Sequence, residues 1–212
     1  MSNNRLEAQH TGVLFFDMLN VYYRGANEAT QRRMEPVVAN CVRIMEAARS
    51  VNIPIFYAKA DHRPDGTDSA TQLTDTNHLL QPWPNPANPA RFTPSARQGT
   101  WEGEVIDELQ PEPGDYVIPK HRWSAFYQTH LELSLRTRGI DTIVLAGGST
   151  EIGIASTAYS ARDMDFNLVI VRDACTSPQM DNHEQFMKRI FPRISRIRTT
   201  DEVIEMMRPG EG

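Results

Sequence analysis

The sequence predicts a three-layer α/β/α architecture around a mostly parallel central sheet, Rossmann-like in outline, and three observations lead there. Short, continuously apolar runs recur along the chain, the pattern of strands buried on both faces. Segments with helical apolar spacing alternate with those runs, as in strand-helix-strand units. The length, 212 residues of which 40% are hydrophobic and 23% charged, suits one sizeable core and is short for two, so residues 1–212 are read as one domain.

The elements follow in order. Gly12-Val13-Leu14-Phe15-Phe16 stops at Asp17 and reads as a central strand. Val37, Val38, Cys41, Val42, Ile44, Met45 and Ala48 have helical spacing behind Pro36, which is taken as a first-turn residue. Ile53 to Ala58 is the second strand. Asp61 to Gly99, rich in Pro, Asn, Asp and Thr, is read as a long loop that shapes the substrate site. Asp115 to Pro119 is the third strand, and Gln128 to Arg138 is a helix closed by Gly139. Thr142 to Ala146 is the fourth strand; it breaks at Gly147-Gly148, and a helix begins near Thr150. Asn167 to Val171 is the fifth strand, followed by a helix over His183 to Ile190, a short strand Ile194 to Arg198 and a terminal helix Asp201 to Met207.

Charge and cysteine content narrow the function classes. A formal net charge of -5 leaves no basic surplus for neutralising phosphates, so nucleic acid is excluded as a partner. Arg32-Arg33 and Arg193, Arg196 and Arg198 read as solvated faces. Cys41 and Cys175 are too few for a disulfide framework. No run of about 18 apolar residues suggests a membrane span, and Met1 to His10 lacks an apolar signal segment. A cytoplasmic protein is expected.

In an open α/β sheet, ligands bind beyond the carboxyl ends of the strands. Asp17, Lys120 and Gly153 each follow a strand or open the next helix, so three distant positions converge on one sheet edge. The order of Asp17, Lys120-His121-Arg122-Trp123-Ser124-Ala125-Phe126 and Gly147-Gly148-Ser149-Thr150-Glu151-Ile152-Gly153 resembles the isochorismatase-like hydrolases. Thr129 and Leu131, Gly99-Thr100-Trp101 and Asp173-Ala174-Cys175 add to the resemblance, which covers nearly the whole chain.

In most such relatives, nicotinamidases and other amide hydrolases among them, the resemblance implies an Asp-Lys-Cys triad at the positions of Asp17, Lys120 and Gly153. Glycine has no side chain to form an acyl intermediate, so the nucleophile position is vacant here. True isochorismatases resemble this chain in having glycine there, and they cleave a vinyl ether by proton transfer and water addition. The resemblance then makes Asp17 the general acid or base and Lys120 its electrostatic partner, acting on a small carboxylated substrate. The alternatives are an amidase with Ser149 or Cys175 as substitute nucleophile, and a catalytically degenerate metabolite-binding protein. The isochorismatase subtype has a glutamine shortly after the second strand where this chain has Ala60, and Asp61-His62-Arg63-Pro64-Asp65-Gly66 resembles a loop of other family members.

Candidate substrate contacts are Asn20, Tyr22, His62, Trp101, Ser149 and Thr150. The aromatic residues Tyr22-Tyr23, Trp83 and Trp101 are candidates for lining a pocket for a planar or cyclic compound, and Trp123 reads as framework beside Lys120. His62 directly follows Asp61 rather than standing in a ligand pattern, and His78, His121, His130 and His183 show no paired spacing, so no metal site and no cofactor are expected. The resemblance also implies a homo-oligomer, a dimer or tetramer.

Overall fold

Six parallel strands form the centre of the computed structural model, which describes residues 5–68, 75–76, 79–80 and 95–209. They are β1 (Thr11–Phe16), β2 (Ile55–Ala60), β3 (Tyr116–Lys120), β4 (Thr142–Gly148), β5 (Asn167–Thr176) and β6 (Arg196–Arg198). Between and after them come helices α1 (Glu28–Ser50), α2 (Leu131–Thr137), α3 (Ala155–Asp163), α4 (Met180–Gln185) and α5 (Thr200–Met207). Across the sheet the strands stand in the order β3-β2-β1-β4-β5-β6, all pairings parallel. The order reverses between β1 and β4, and at such a switch point the loops leaving the two strands part and leave a crevice.

Alternation along the strands makes two cores. Val13 and Phe15 of β1, Val144 and Ala146 of β4, and Val169 and Val171 of β5 face the side covered by α1 and α5. Leu14, Phe16, Ile143, Leu145, Leu168 and Ile170 face the other side, where Leu131 and Leu135 of α2 and Ala155, Ala158 and Ala161 of α3 pack. Burial on both faces is why these strands read as unbroken apolar runs.

Several boundaries differ from the sequence expectation, four of them by more than two residues. Helix α1 starts at Glu28, with Asn27 as N-cap accepting from the Thr30 N–H at 2.9 Å, and Pro36 lies inside it. Pro36 costs one intrahelical hydrogen bond, and the capped turns ahead of it, together with buried Met34, extend the helix past that loss. Helix α2 begins at Leu131 rather than Gln128, because Gln128 has a left-handed φ of 54°. Strand β5 runs on to Thr176, with Cys175 and Thr176 paired to Gly147 and Gly148 beyond a bulge. The helix over Met180–Gln185 continues in wide turns through Ile190.

Within the expected loop, Asp75–Thr76 and Leu79–Leu80 pair antiparallel; Trp83 and His78 lie outside the described residues. No helix among the described residues is long and apolar enough to cross a membrane.

Candidate active site

The crevice collects side chains from separated stretches. Asp17 leaves β1 with a left-handed φ of 51°, a conformation that Asp tolerates better than most residues. Its N–H donates to the Ala58 carbonyl at 2.8 Å, and its Oδ1 accepts from the Ala60 N–H at 2.8 Å. Lys120 ends β3 and is 4% exposed; its Nζ donates to Asp17 Oδ2 at 2.7 Å and stands 4.4 Å from the centre of the Phe16 ring. A buried ammonium is tolerable only with such compensation, here one carboxylate and one aromatic face. Each Asp17 oxygen thus accepts one hydrogen bond, from a backbone N–H and from the Lys120 ammonium.

The spot beside Gly153 is filled. A Cβ built on Gly153 would lie 2.1 Å from Phe16 Cε1 and 2.6 Å from Cζ, so the Phe16 ring occupies the space a side chain at 153 would need. Gly147 is under a similar constraint from the backbone: its φ is 121°, and a Cβ there would lie 2.2 Å from the Phe16 carbonyl oxygen. Around Gly153, Thr150–Ile154 forms wide turns in which the Ile154 N–H reaches the Ser149 carbonyl at 3.1 Å, before α3 continues regularly.

These groups open onto a cavity of about 930 Å³, a volume suited to a small molecule. Phe16, Asp17, Lys120, Ser149 and Gly153 lie on its inner wall, and Val21, Tyr22, Met34, Trp123, Tyr127 and Ile152 give it an apolar, largely aromatic lining. The Lys120 to Phe126 segment is held there because Ser124 Oγ donates to Ser160 Oγ at 2.9 Å and the Ala125 N–H donates to Thr157 Oγ1 at 3.0 Å. Burial of its hydroxyl, with the Asp17 carboxylate nearby, pushes the Tyr22 phenol up to about 12.

Of the candidate substrate contacts, Tyr22, His62 and Ser149 line the cavity, while Asn20, Trp101 and Thr150 do not. Asn20 is buried and ties two loops together, its Nδ2 donating to the Trp101 carbonyl at 3.0 Å. Trp101 is 55% exposed, away from the cavity. Thr150 is a buried linker: its Oγ1 donates to the Thr176 carbonyl at 3.0 Å and meets His183 Nδ1 at 2.9 Å. Tyr23, the neighbour of Tyr22, belongs to the core.

At the rim, His62 Nδ1 lies 3.4 Å from one Asp68 oxygen and His121 Nε2 lies 3.3 Å from the other. Burial holds His62 below the usual histidine range despite Asp68. Among the described residues no group of three or more His, Cys, Asp or Glu side chains could hold a metal ion.

Several cavity residues escaped the sequence reading. Trp123 is on the wall, not only framework, and Thr176 lines it with a buried hydroxyl that has no hydrogen-bond partner. Arg33 and Met34 line it too. Asn27, a good N-cap followed by Glu28, was the signal that α1 begins early enough to bring them there. Cys175 is buried, its thiol pushed up to about 12 chiefly by that burial and its Sγ turned toward the Leu145 carbonyl at 3.9 Å.

Comparison with known proteins agrees with this architecture. The family model described as Isochorismatase domain matches residues 11–202. An isochorismatase family protein of Escherichia coli O157:H7, YecD, is 34% identical over 173 residues, 82% of this chain and 84% of its own. The ureidoacrylate amidohydrolase RutB of Methylorubrum extorquens is 30% identical over 178 residues, 79% of this chain and 70% of its own. Among solved structures, an isochorismatase family protein from Burkholderia thailandensis superposes with a TM-score of 0.77 at 27% identity, covering 96% of this chain and 97% of that one.

Proposed function

Because the chain belongs to the isochorismatase family of hydrolases, we propose that it hydrolyses a small carboxylated metabolite through Asp17 and Lys120, without a covalent cysteine intermediate. One observation carries this reading: a buried carboxylate-ammonium pair at 2.7 Å faces a small-molecule cavity beside a position 153 whose side-chain space belongs to Phe16. The site therefore holds proton-transfer groups and no thiol.

Vinyl-ether hydrolysis fits that equipment. Asp17 hands a proton, drawn from the Lys120 ammonium, to the terminal alkene carbon, and the ether carbon becomes an oxocarbenium ion. Water adds to that carbon and returns a proton to the Asp17-Lys120 pair. The hemiketal then collapses to a keto acid and an alcohol, so atoms and charge balance without an enzyme-bound intermediate. The reading places the protein in the cytoplasm as a homo-oligomer that needs no metal or cofactor.

A second reading is supported by the names of the ureidoacrylate amidohydrolases related to this chain: cleavage of a C–N bond, with Ser149 on the cavity wall as substitute nucleophile. Cys175 is a poor substitute, because it is buried, is not among the residues lining the cavity, and burial pushes its thiol up. Assay of the purified protein on isochorismate and on a panel of ureido and amide acids separates the two. Enol-ether turnover that is lost in Asp17→Asn supports the first; turnover confined to amides, with an acyl adduct on Ser149 found by mass spectrometry, replaces it with the second.

A further inference from the structure

Arg33 is a cation on the cavity wall that lacks an ion-pair partner among the described residues. Among the described residues its Nε is buried with no hydrogen-bond acceptor, and its guanidinium makes only a long contact, 3.4 Å, to Thr30 Oγ1. Its neighbours behave otherwise. Arg32, one residue earlier, points to solvent and pairs with Glu28 at 3.0 Å. Arg49 is paired with Asp115 at 2.8 Å and Arg122 donates to two backbone carbonyls.

The cavity as a whole carries an excess of positive charge. Asp17 is the one carboxylate among its lining residues, and Lys120 already neutralises it. That leaves two guanidiniums on the wall without a carboxylate among the described residues, those of Arg33 and Arg122; Arg122 spends its donors on the Asp68 and His121 carbonyls, whereas Arg33, contributed by α1 rather than by the strand ends that carry the reacting pair, keeps a buried donor unmet. A half-buried guanidinium with one buried, unmet donor favours a planar acceptor that can take two hydrogen bonds, which is a carboxylate.

We propose that Arg33 is the specificity-determining anchor for the carboxylate of the ligand, and that the ligand body lies against the Tyr22, Met34 and Trp123 side chains. The position of the reacting end at Asp17 rests on the hydrolase reading above; the anchor itself does not.

The test uses the full chain and two probes of equal shape, benzoate and benzamide, titrated by calorimetry into wild type, Arg33→Met and Arg33→Lys, with circular dichroism confirming that each variant is folded. Wild type is expected to bind benzoate about 10- to 100-fold more tightly than benzamide, the value of a charge-assisted hydrogen bond. Arg33→Met abolishes that preference and Arg33→Lys keeps part of it. Equal binding of the two probes by wild type, binding of neither, or a preference that survives in Arg33→Met overturns the anchor. If Arg33 controls the preference while no enol ether or amide is ever turned over, the anchor stands and the hydrolase reading falls.

Discussion

The Phe16 ring stands where a side chain on Gly153 would begin, with Phe16 Cε1 2.1 Å from the position of that missing Cβ. Phe16 is itself fixed from two sides, by its place in the buried β1 strand and by Lys120 Nζ over its ring. The two residues are thus a matched pair: each excludes the ordinary alternative at the other.

Gly153→Cys, which places a thiol at this position, should overpack the contact and destabilise the fold by about 1–3 kcal/mol. Phe16→Ala alone should cost about 3–5 kcal/mol through the cavity it leaves. In the double variant the new side chain fills part of that cavity, so the two costs fall short of their sum. Urea denaturation of the four proteins measures the coupling; strict additivity would show that the ring and residue 153 do not compete.

The Asp17-Lys120 pair predicts a split between activity and stability. Asp17→Asn should lower turnover by about 10²- to 10⁴-fold, the range for losing a general acid or base. Lys120→Met strands a mostly buried carboxylate and should cost about 3–5 kcal/mol of stability, with Asp17→Asn/Lys120→Met recovering much of it. A Lys120→Met protein as stable as wild type would mean that the pair is solvated in solution.

Acid should weaken the fold through two histidines. Burial is the leading cause that lowers the pKa of both His62 and His183 below the ordinary value near 6.5. The unfolded chain therefore binds protons that the folded chain refuses, and stability is full above about pH 6.5, falling as the pH drops toward the depressed folded values. His183, 3% exposed, should contribute most clearly. Denaturation midpoints between pH 8 and 5 should show the loss, and His183→Leu should flatten it; an unchanged slope would assign the effect elsewhere.

Neither thiol should react in the native protein. Burial raises Cys41 well above its ordinary range and Cys175 to about 12. A disulfide exchange reagent at pH 8 should count no thiols before unfolding and two afterwards. A single rapidly modified native Cys175 would revive it as a nucleophile.

The sheet was readable from the chain because strands buried on both faces leave unbroken apolar runs, as in Val13 to Phe16. The readable part of the site was Asp17 and the Lys120 to Phe126 stretch, where residue order alone carries a resemblance. Arg172 and Asp173 hid the end of β5: they look like a loop, but Arg172 is paired with Glu184 and Asp173 accepts from the N–H and hydroxyl of Thr200. Pro36 hid the start of α1, since proline favours a first turn but is tolerated inside a helix held by other contacts. Arg33 was consequently placed with solvated Arg32, and the Phe16-Gly153 contact has no local signature, being made only when β1 and the turn after β4 meet.

Asp17 and Lys120 stand 103 positions apart in the chain and touch only across three strands of the sheet. A compound that needs both can bind no form in which the sheet has come apart, so its binding stabilises the whole domain and raises the melting temperature as its concentration exceeds Kd. Differential scanning fluorimetry against a metabolite library would thus reveal the natural ligand before its chemistry is known.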